Sequence, residues 1–289
     1  MVAALYVVGT PIGNLRDLTL RALDVLKAVD VVAAEDTRVT RHLLQHYGID
    51  AHPISLHEHI EEEMSGRVLE LLRAGKSVAL VSDAGTPAVS DPGARLVRRV
   101  RQAGFAVVPI PGASAVTAAM SAAGLKAERF LFCGFLPAQS GARVRELEAL
   151  RKLTAALVFY EAPHRVRESL SDLERVLGGE REVVIARELT KLFETIHACR
   201  LDEVLAWLDA DANRSRGEFV LVVEGAPVSR ATHAEEGERV LTILLRELPL
   251  KQAVQLASEI TGAKRNALYD RALELKAADP EAVARKDNP

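Results

Sequence analysis

Over the first 125 positions, short aliphatic runs alternate with stretches whose apolar residues recur at helical spacing. The short runs predict strands at 5–8, 31–34, 52–55, 77–81 and 106–110. The amphipathic stretches predict helices at 19–28, 40–47, 61–74 and 94–103. Strands alternating with helices of this length imply a mostly parallel sheet with helices on both faces. From about 128 the texture changes. Strands are expected at 130–135, 155–160, 182–186, 194–198 and 218–223, and helices at 142–152, 166–177 and 202–208. Glu188-Leu189-Thr190-Lys191 before the strand at 194–198 predicts a hairpin, hence a mixed sheet. The Gly-, Ala- and polar-rich stretch 225–238 reads as a linker. Helices at 239–247, 251–260 and 265–277 follow, the last two joined by Thr261-Gly262-Ala263-Lys264, as in a helix-turn-helix. The polar tail after 279 reads as frayed. The expected organisation is an N-terminal α/β lobe (1–125), a second α/β lobe (126–225) and a linker with a helical extension (226–289).

Composition narrows the function classes. Only 4% of the 289 residues are aromatic, so the core must be aliphatic. With 37 basic against 40 acidic side chains, a uniformly basic nucleic-acid coat is excluded, although a local patch is not. Cys133 and Cys199 are the only cysteines, which excludes a disulfide scaffold and a cysteine-based zinc finger. Positions 102–125 carry no charge and are long enough on paper to span a bilayer. Pro109, Pro111, Gly112 and a run of small residues make a strand, a loop and a small-residue helix the better reading. The N-terminus lacks the basic region of a signal peptide. A cytoplasmic protein that does not enter membranes is expected.

Candidate chemistry sits in loops. Gly9-Thr10-Pro11-Ile12-Gly13 follows a strand and precedes a helix, yet it is neither a dinucleotide fingerprint nor a P-loop. The expected ligand therefore needs no phosphate cradle. Ser82-Asp83-Ala84-Gly85-Thr86-Pro87, closed by Ser90-Asp91-Pro92-Gly93, and Pro111-Gly112-Ala113-Ser114-Ala115 also follow strands. In open α/β sheets ligands bind at that edge. Glu35-Asp36-Thr37-Arg38 puts two acids and a base there as well. Phe159-Tyr160-Glu161-Ala162-Pro163-His164-Arg165 ends another strand, where a carboxylate, an imidazole and a guanidinium suit proton transfer or RNA backbone binding. His57-Glu58-His59 share a face of an extended segment but lack a third ligand, so no metal is expected.

The segments LYVVGTPIGNLRDLTLRAL, AAEDTR, SLHEH, SDAGTPAVSDPG, PGASA, FCGFLP, FYEAPHR and ARELTK occur in this order. Through them the chain resembles the bacterial 16S ribosomal RNA small-subunit methyltransferase I family, a branch of the tetrapyrrole methylase superfamily. The resemblance runs from about 5 to 224, and the helical extension is also present. AEDTR and FYEAPHR mark the rRNA branch. The resemblance implies a bilobal α/β fold with a helix-turn-helix-like C-terminal domain, S-adenosylmethionine bound between the lobes, and a homodimer. It also implies 2′-O-methylation of a cytidine ribose in the decoding centre of 16S rRNA, within the small ribosomal subunit. Cofactor contacts are expected from Pro11, Ile12, Gly13, Asp83, Gly85, Thr86, Val89, Ser114 and Ala115, and from Tyr160, Ala186 and Gly217 in the second lobe. Many superfamily members carry Gly-Asp-Pro where this chain has Gly85-Thr86-Pro87, with Asp83 earlier, which leaves open the residue that takes the acidic role.

Methyl transfer to a hydroxyl needs alignment and a base. Asp36, Glu161 and His164 are the candidate bases. Arg38, Arg165 and Arg187 are candidates to hold RNA phosphates or stabilise the developing alkoxide. Two other readings remain at this point: a tetrapyrrole C-methyltransferase of the same superfamily, and a non-enzymatic nucleic-acid-binding regulator.

Overall fold

In the computed structural model, which describes residues 1–55, 61–125, 128–227 and 230–278, β1 (Ala4–Val8) lies between β4 (Val78–Val81) and β5 (Ala106–Ile110). With β2 (Val31–Ala34) and β3 (Ile54–Ser55) they form a parallel sheet of order β3-β2-β4-β1-β5. Strand periodicity divides the core. Ala4, Tyr6 and Val8 face α1 (Leu20–Ala28) and α2 (Thr37–His46), whereas Leu5 and Val7 face α3 (Glu61–Arg73) and α4 (Ala94–Gln102). Helix α2 begins three residues before the expected start, because the Asp36 side chain accepts from the Arg38 amide and caps it.

Helix α5 (Ala115–Ala123) follows the first sheet in sequence, but its buried face packs on the second. Val116, Ala119 and Ala123 meet Ala156, Val158, Val184, Ala186, Val220 and Val222. Alanines on both sides let helix and sheet approach closely. That second sheet contains β6 (Phe130–Phe135), β7 (Ala156–Glu161), β8 (Glu182–Arg187), β9 (Thr195–Arg200) and β10 (Phe219–Val223), in the order β6-β7-β10-β8-β9. Only β6 and β7 are parallel; the other pairs are antiparallel, as a hairpin after β8 requires. Helices α6 (Ser140–Leu150), α7 (Val166–Leu177) and α8 (Leu201–Asp209) cover its other face. Beneath them Arg143 is buried, bonded to Asp172 at 2.7 Å and to the carbonyls of Pro137 and Ala138.

The described chain divides into two compact units, Met1–Ala226 and a second that begins at Pro227. The second contains α9 (Arg230–Leu244), α10 (Leu250–Thr261) and α11 (Arg265–Ala278) around Leu241, Val254, Ala257 and Leu268. The expected linker is helical from Arg230 onward. Gly237 signals a close crossing rather than a break: a Cβ there would stand 2.7 Å from the Ala263 Cβ. Gly262, left-handed at φ +70, ends α10 and makes the turn into α11. The tail after 279 and His57-Glu58-His59 lie outside the described residues. No described helix is long and apolar enough to cross a membrane.

Candidate active site

Three loops leave the C-terminal ends of β1, β4 and β5 and hold each other by backbone. Thr10 and Gly85 exchange amide hydrogen bonds of 2.8 and 3.1 Å, and the buried Thr10 hydroxyl donates to the Ser82 carbonyl. Gly9 and Gly112 touch backbone to backbone, since a Cβ on either would lie 2.8 Å from the other's main chain. Gly85 differs. Its φ is +78, and a Cβ there would meet only Ile12 Cγ2 at 3.5 Å and the Ala113 carbonyl at 3.8 Å. The first two glycines serve packing, and the third serves a turn beside open space.

That space is a cavity of about 380 Å³ between the two sheets. The first sheet's loops contribute Ile12, Ala84, Gly85, Thr86, Val89, Ser90, Asp91, Ser114 and Ala115. The second sheet contributes Phe135, Tyr160, Glu161, Ala186, Leu189 and Val220, among others. Its size falls in the ordinary range for small-molecule sites, and a mostly apolar wall with a few converging polar groups is their usual composition. Tyr160 is held edge-on by Phe132 and Phe135, at centroid distances of 4.9 and 5.5 Å. Burial, reinforced by the charge of Asp91, pushes its phenol up, so it stays protonated at neutral pH.

Eight expected cofactor residues therefore line one cavity: Ile12, Gly85, Thr86, Val89, Ser114, Ala115, Tyr160 and Ala186. Pro11, Gly13, Asp83 and Gly217 stand behind or beside it. Pro11 is buried under the first loop. The Lys191 stem crosses Gly13, where a Cβ would overlap it at 2.5 Å. Gly217 makes the same room for the Glu188 side chain. Asp83 accepts from the Asp36 amide at 2.9 Å.

The six expected catalytic residues separate further. Asp36 is tied to Arg38 by a bidentate ion pair, which holds its carboxyl down at about 2. Such a carboxylate is a weak base at neutral pH. Arg38 is 85% exposed at the end of that pair. Glu161 lines the cavity, but its oxygens are saturated by Arg165, by Ser169 and by the Ala162 amide. Arg165 is thereby spent. His164 is exposed and is not among the lining residues. Arg187 clamps the carbonyls of Asn213, Arg216 and Phe193, which fixes the 3-10 turn Ala212–Ser215 against β8.

The sequence reading passed over Asp91. It lines the cavity at the end of a loop in which Ala88 and Ser90, neither of them glycine, adopt φ of +66 and +65. Non-glycine residues in that region cost free energy and cluster at functional sites. Burial, with Asp83 nearby, pushes the Asp91 carboxyl up, and Ser82 donates to it. Among the lining carboxylates, Glu161 is locked and Glu218 is paired with Lys191. The Ser-Asp-Pro-Gly run was legible as a turn. Its aim into the cavity depends on two positive φ angles that residue types do not announce.

The same region carries the match to known proteins. The family model of Tetrapyrrole (Corrin/Porphyrin) Methylases covers residues 4–205, and that of the RsmI C-terminal HTH domain covers 231–276. Ribosomal RNA small subunit methyltransferase I of Escherichia coli O157:H7 is 53% identical over 93% of this chain and 94% of its own length. The proteins of the same name from Pseudomonas aeruginosa and Vibrio cholerae are each 52% identical over 93% of this chain. Among solved structures, the methyltransferase CobJ superposes with a TM-score of 0.58 at 21% identity, covering 78% of this chain and 96% of its own. Cobalt precorrin-4 methyltransferase superposes at 0.57 and 19%, covering 76% and 94%. These distant structures show the fold alone, whereas half-identity along nearly the whole chain selects the branch. The chain belongs to the tetrapyrrole methylase superfamily and, within it, to the ribosomal RNA small subunit methyltransferase I family.

Proposed function

We propose that this protein transfers a methyl group from S-adenosylmethionine to the 2′-hydroxyl of a cytidine ribose in 16S rRNA of the small ribosomal subunit. The observation that carries the reading is the cavity itself: it joins loops of both sheets, and its lining includes Asp91, a carboxylate that no ion pair holds among the described residues. The residues fit the cofactor. Gly85 leaves a cradle that a larger side chain would fill, apolar walls at Ile12, Val89 and Ala186 suit an adenine ring, and Ser114 and Thr86 offer hydroxyls. When bound, S-adenosylmethionine supplies an electrophilic methyl group on a sulfonium. The chain's own part is to align the ribose oxygen with it, to exclude water, and to take the hydroxyl proton. Alignment is worth roughly 7–11 kcal/mol.

Asp91 is the base in this reading, acting at a carboxyl oxygen, and a base contributes about 10²–10⁴-fold. Glu161 and Arg165 hold the strand end that shapes the far wall. The test is transfer of labelled methyl to 30S subunits and to free 16S rRNA, with the product nucleoside identified by mass spectrometry. Label on a cytidine ribose supports the reading; label on a base, or none, overturns it. Asp91→Asn is expected to lower the single-turnover rate at least about 10²-fold with unchanged S-adenosylhomocysteine affinity.

A homodimer working in the cytoplasm accompanies this reading. Phe130, Leu131 and Phe135 are exposed on β6, the edge strand of the second sheet, where a second copy would cover them. Sedimentation of the intact chain tests the dimer.

A further inference from the structure

The arginines that motif position suggested for RNA are engaged within the chain, Arg38 by Asp36, Arg165 by Glu161 and Arg187 by backbone carbonyls. Several surface arginines pair with an acid: Arg38 with Asp36, Arg167 with Asp209, Arg200 with Asp202, and Arg239 with Glu236. Helix α4 concentrates arginine. Its nine residues carry Arg95, Arg98, Arg99 and Arg101 and no acid. Leu96 and Val100 bury one side of it, while Arg95, Arg98 and Arg101 fall at i, i+3 and i+6 on the exposed side. Arg98 and Arg101 form no ion pair among the described residues, nor do Arg73 and Lys76 at the end of the neighbouring α3. The acids of α3 are Glu70 and three glutamates at its start.

Arg98 and Arg101 stand at i, i+3, where like charges repel, so this pair works against the helix that carries it. The helix dipole compensates only in the last turn, which leaves Arg98 unexplained. A polyanion explains both. The stripe also starts in the right place. The Ser90–Asp91 wall of the cavity leads through Gly93 directly into α4, which then runs roughly 13.5 Å along the outside of the first lobe.

We propose that the exposed stripe of α4, with Arg73 and Lys76 beside it, is a docking track for the phosphodiester backbone of the RNA whose nucleotide enters the cavity. The assignment rests on the rRNA reading above. Each phosphate neutralised lowers the log–log salt dependence of binding by about 0.7–0.9 units, so two arginines account for about 1.4–1.8.

The experiment compares wild type with Arg98→Gln/Arg101→Gln in the full chain. It reads 30S binding against salt, steady-state methylation, S-adenosylhomocysteine affinity and thermal stability. The expected variant binds with a salt slope shallower by about 1.4–1.8 units and a raised KM for the subunit. Its kcat, ligand affinity and melting temperature are not lowered. A control pair on the opposite helical layer, Arg21→Gln/Lys27→Gln, removes equal charge and is expected to keep the wild-type slope. An α4 variant with wild-type slope and KM overturns the track, and so does a control that loses as much as the α4 pair. A wild-type protein that methylates no rRNA overturns the substrate reading, and the track falls with it.

Discussion

Asp91 is the residue at which chemistry and stability oppose each other. Its carboxyl is raised by burial and then by Asp83, and Glu35 and Asp83 are raised alongside it. A carboxyl whose folded pKa lies above its unfolded value binds more protons folded than unfolded in the interval between. Stability therefore falls as pH rises through that interval, and the full cost persists above it. Neutralising Asp91 should remove the cost while removing the base. Asp91→Asn is expected to melt higher than wild type at pH 7, with the gain vanishing below about pH 3.8. Calorimetry across that range checks it, and a variant destabilised at pH 7 contradicts the assignment. Asp36 has the opposite sign. Its partner Arg38 holds it at about 2, so its contribution is present above 3.8 and is lost as pH falls toward 2. The sequence pointed to Asp36 as a candidate base and showed Asp91 only as part of a turn. What separates them is an ion pair two residues away in one case and two positive φ angles in the other.

Elements were legible to the extent that one periodicity governed them. Strands β2, β5 and β6 and helix α7 have the boundaries that their apolar patterns predict. Helix α9 did not, because polar residues and Gly237 look like a linker until Ala263 and Leu268 pack against them. The partner of α5 was equally hidden, since a small-residue helix does not reveal the sheet that will cover it. Glycines show the same limit. Gly66 lies inside α3 with nothing near its Cβ direction, whereas Gly112 abuts Gly9 main chain at 2.8 Å. Gly66→Ala is thus expected to stabilise by about 0.5–1 kcal/mol through helix propensity. Gly112→Ala is expected to cost about 1–3 kcal/mol, because backbone cannot yield as a flexible side chain can. It should also weaken S-adenosylhomocysteine binding, since Ser114 sits two residues on. Urea unfolding of both variants decides. Equal effects would mean that the loop contact has no energetic role.

At the scale of the molecule, the cavity is the feature that neither sheet makes alone. Loops of β1, β4 and β5 form one wall, the ends of β7, β8 and β10 form the other, and α5 carries the chain from one sheet to pack on the next. A ligand that fits between them binds only when both walls are in place, so its binding energy adds to the stability of each. At a hundred times Kd that addition is about 2.7 kcal/mol. Saturating S-adenosylhomocysteine is therefore expected to slow hydrogen exchange in both walls together: at Gly85–Val89 and Ser114–Ala115, and at Tyr160, Ala186 and Val220. Gly85→Val, which pushes branched methyls toward Ile12, should abolish the slowing in all of them. Gly85→Ala is the folding control. Its methyl meets Ile12 at an ordinary 3.5 Å, so it carries only the backbone strain of φ +78, roughly 1–2 kcal/mol, and should still bind. Protection confined to the loops of the first sheet would show that the ligand rests on one wall. The second sheet would then be scaffolding, and Tyr160 would have no part in the site.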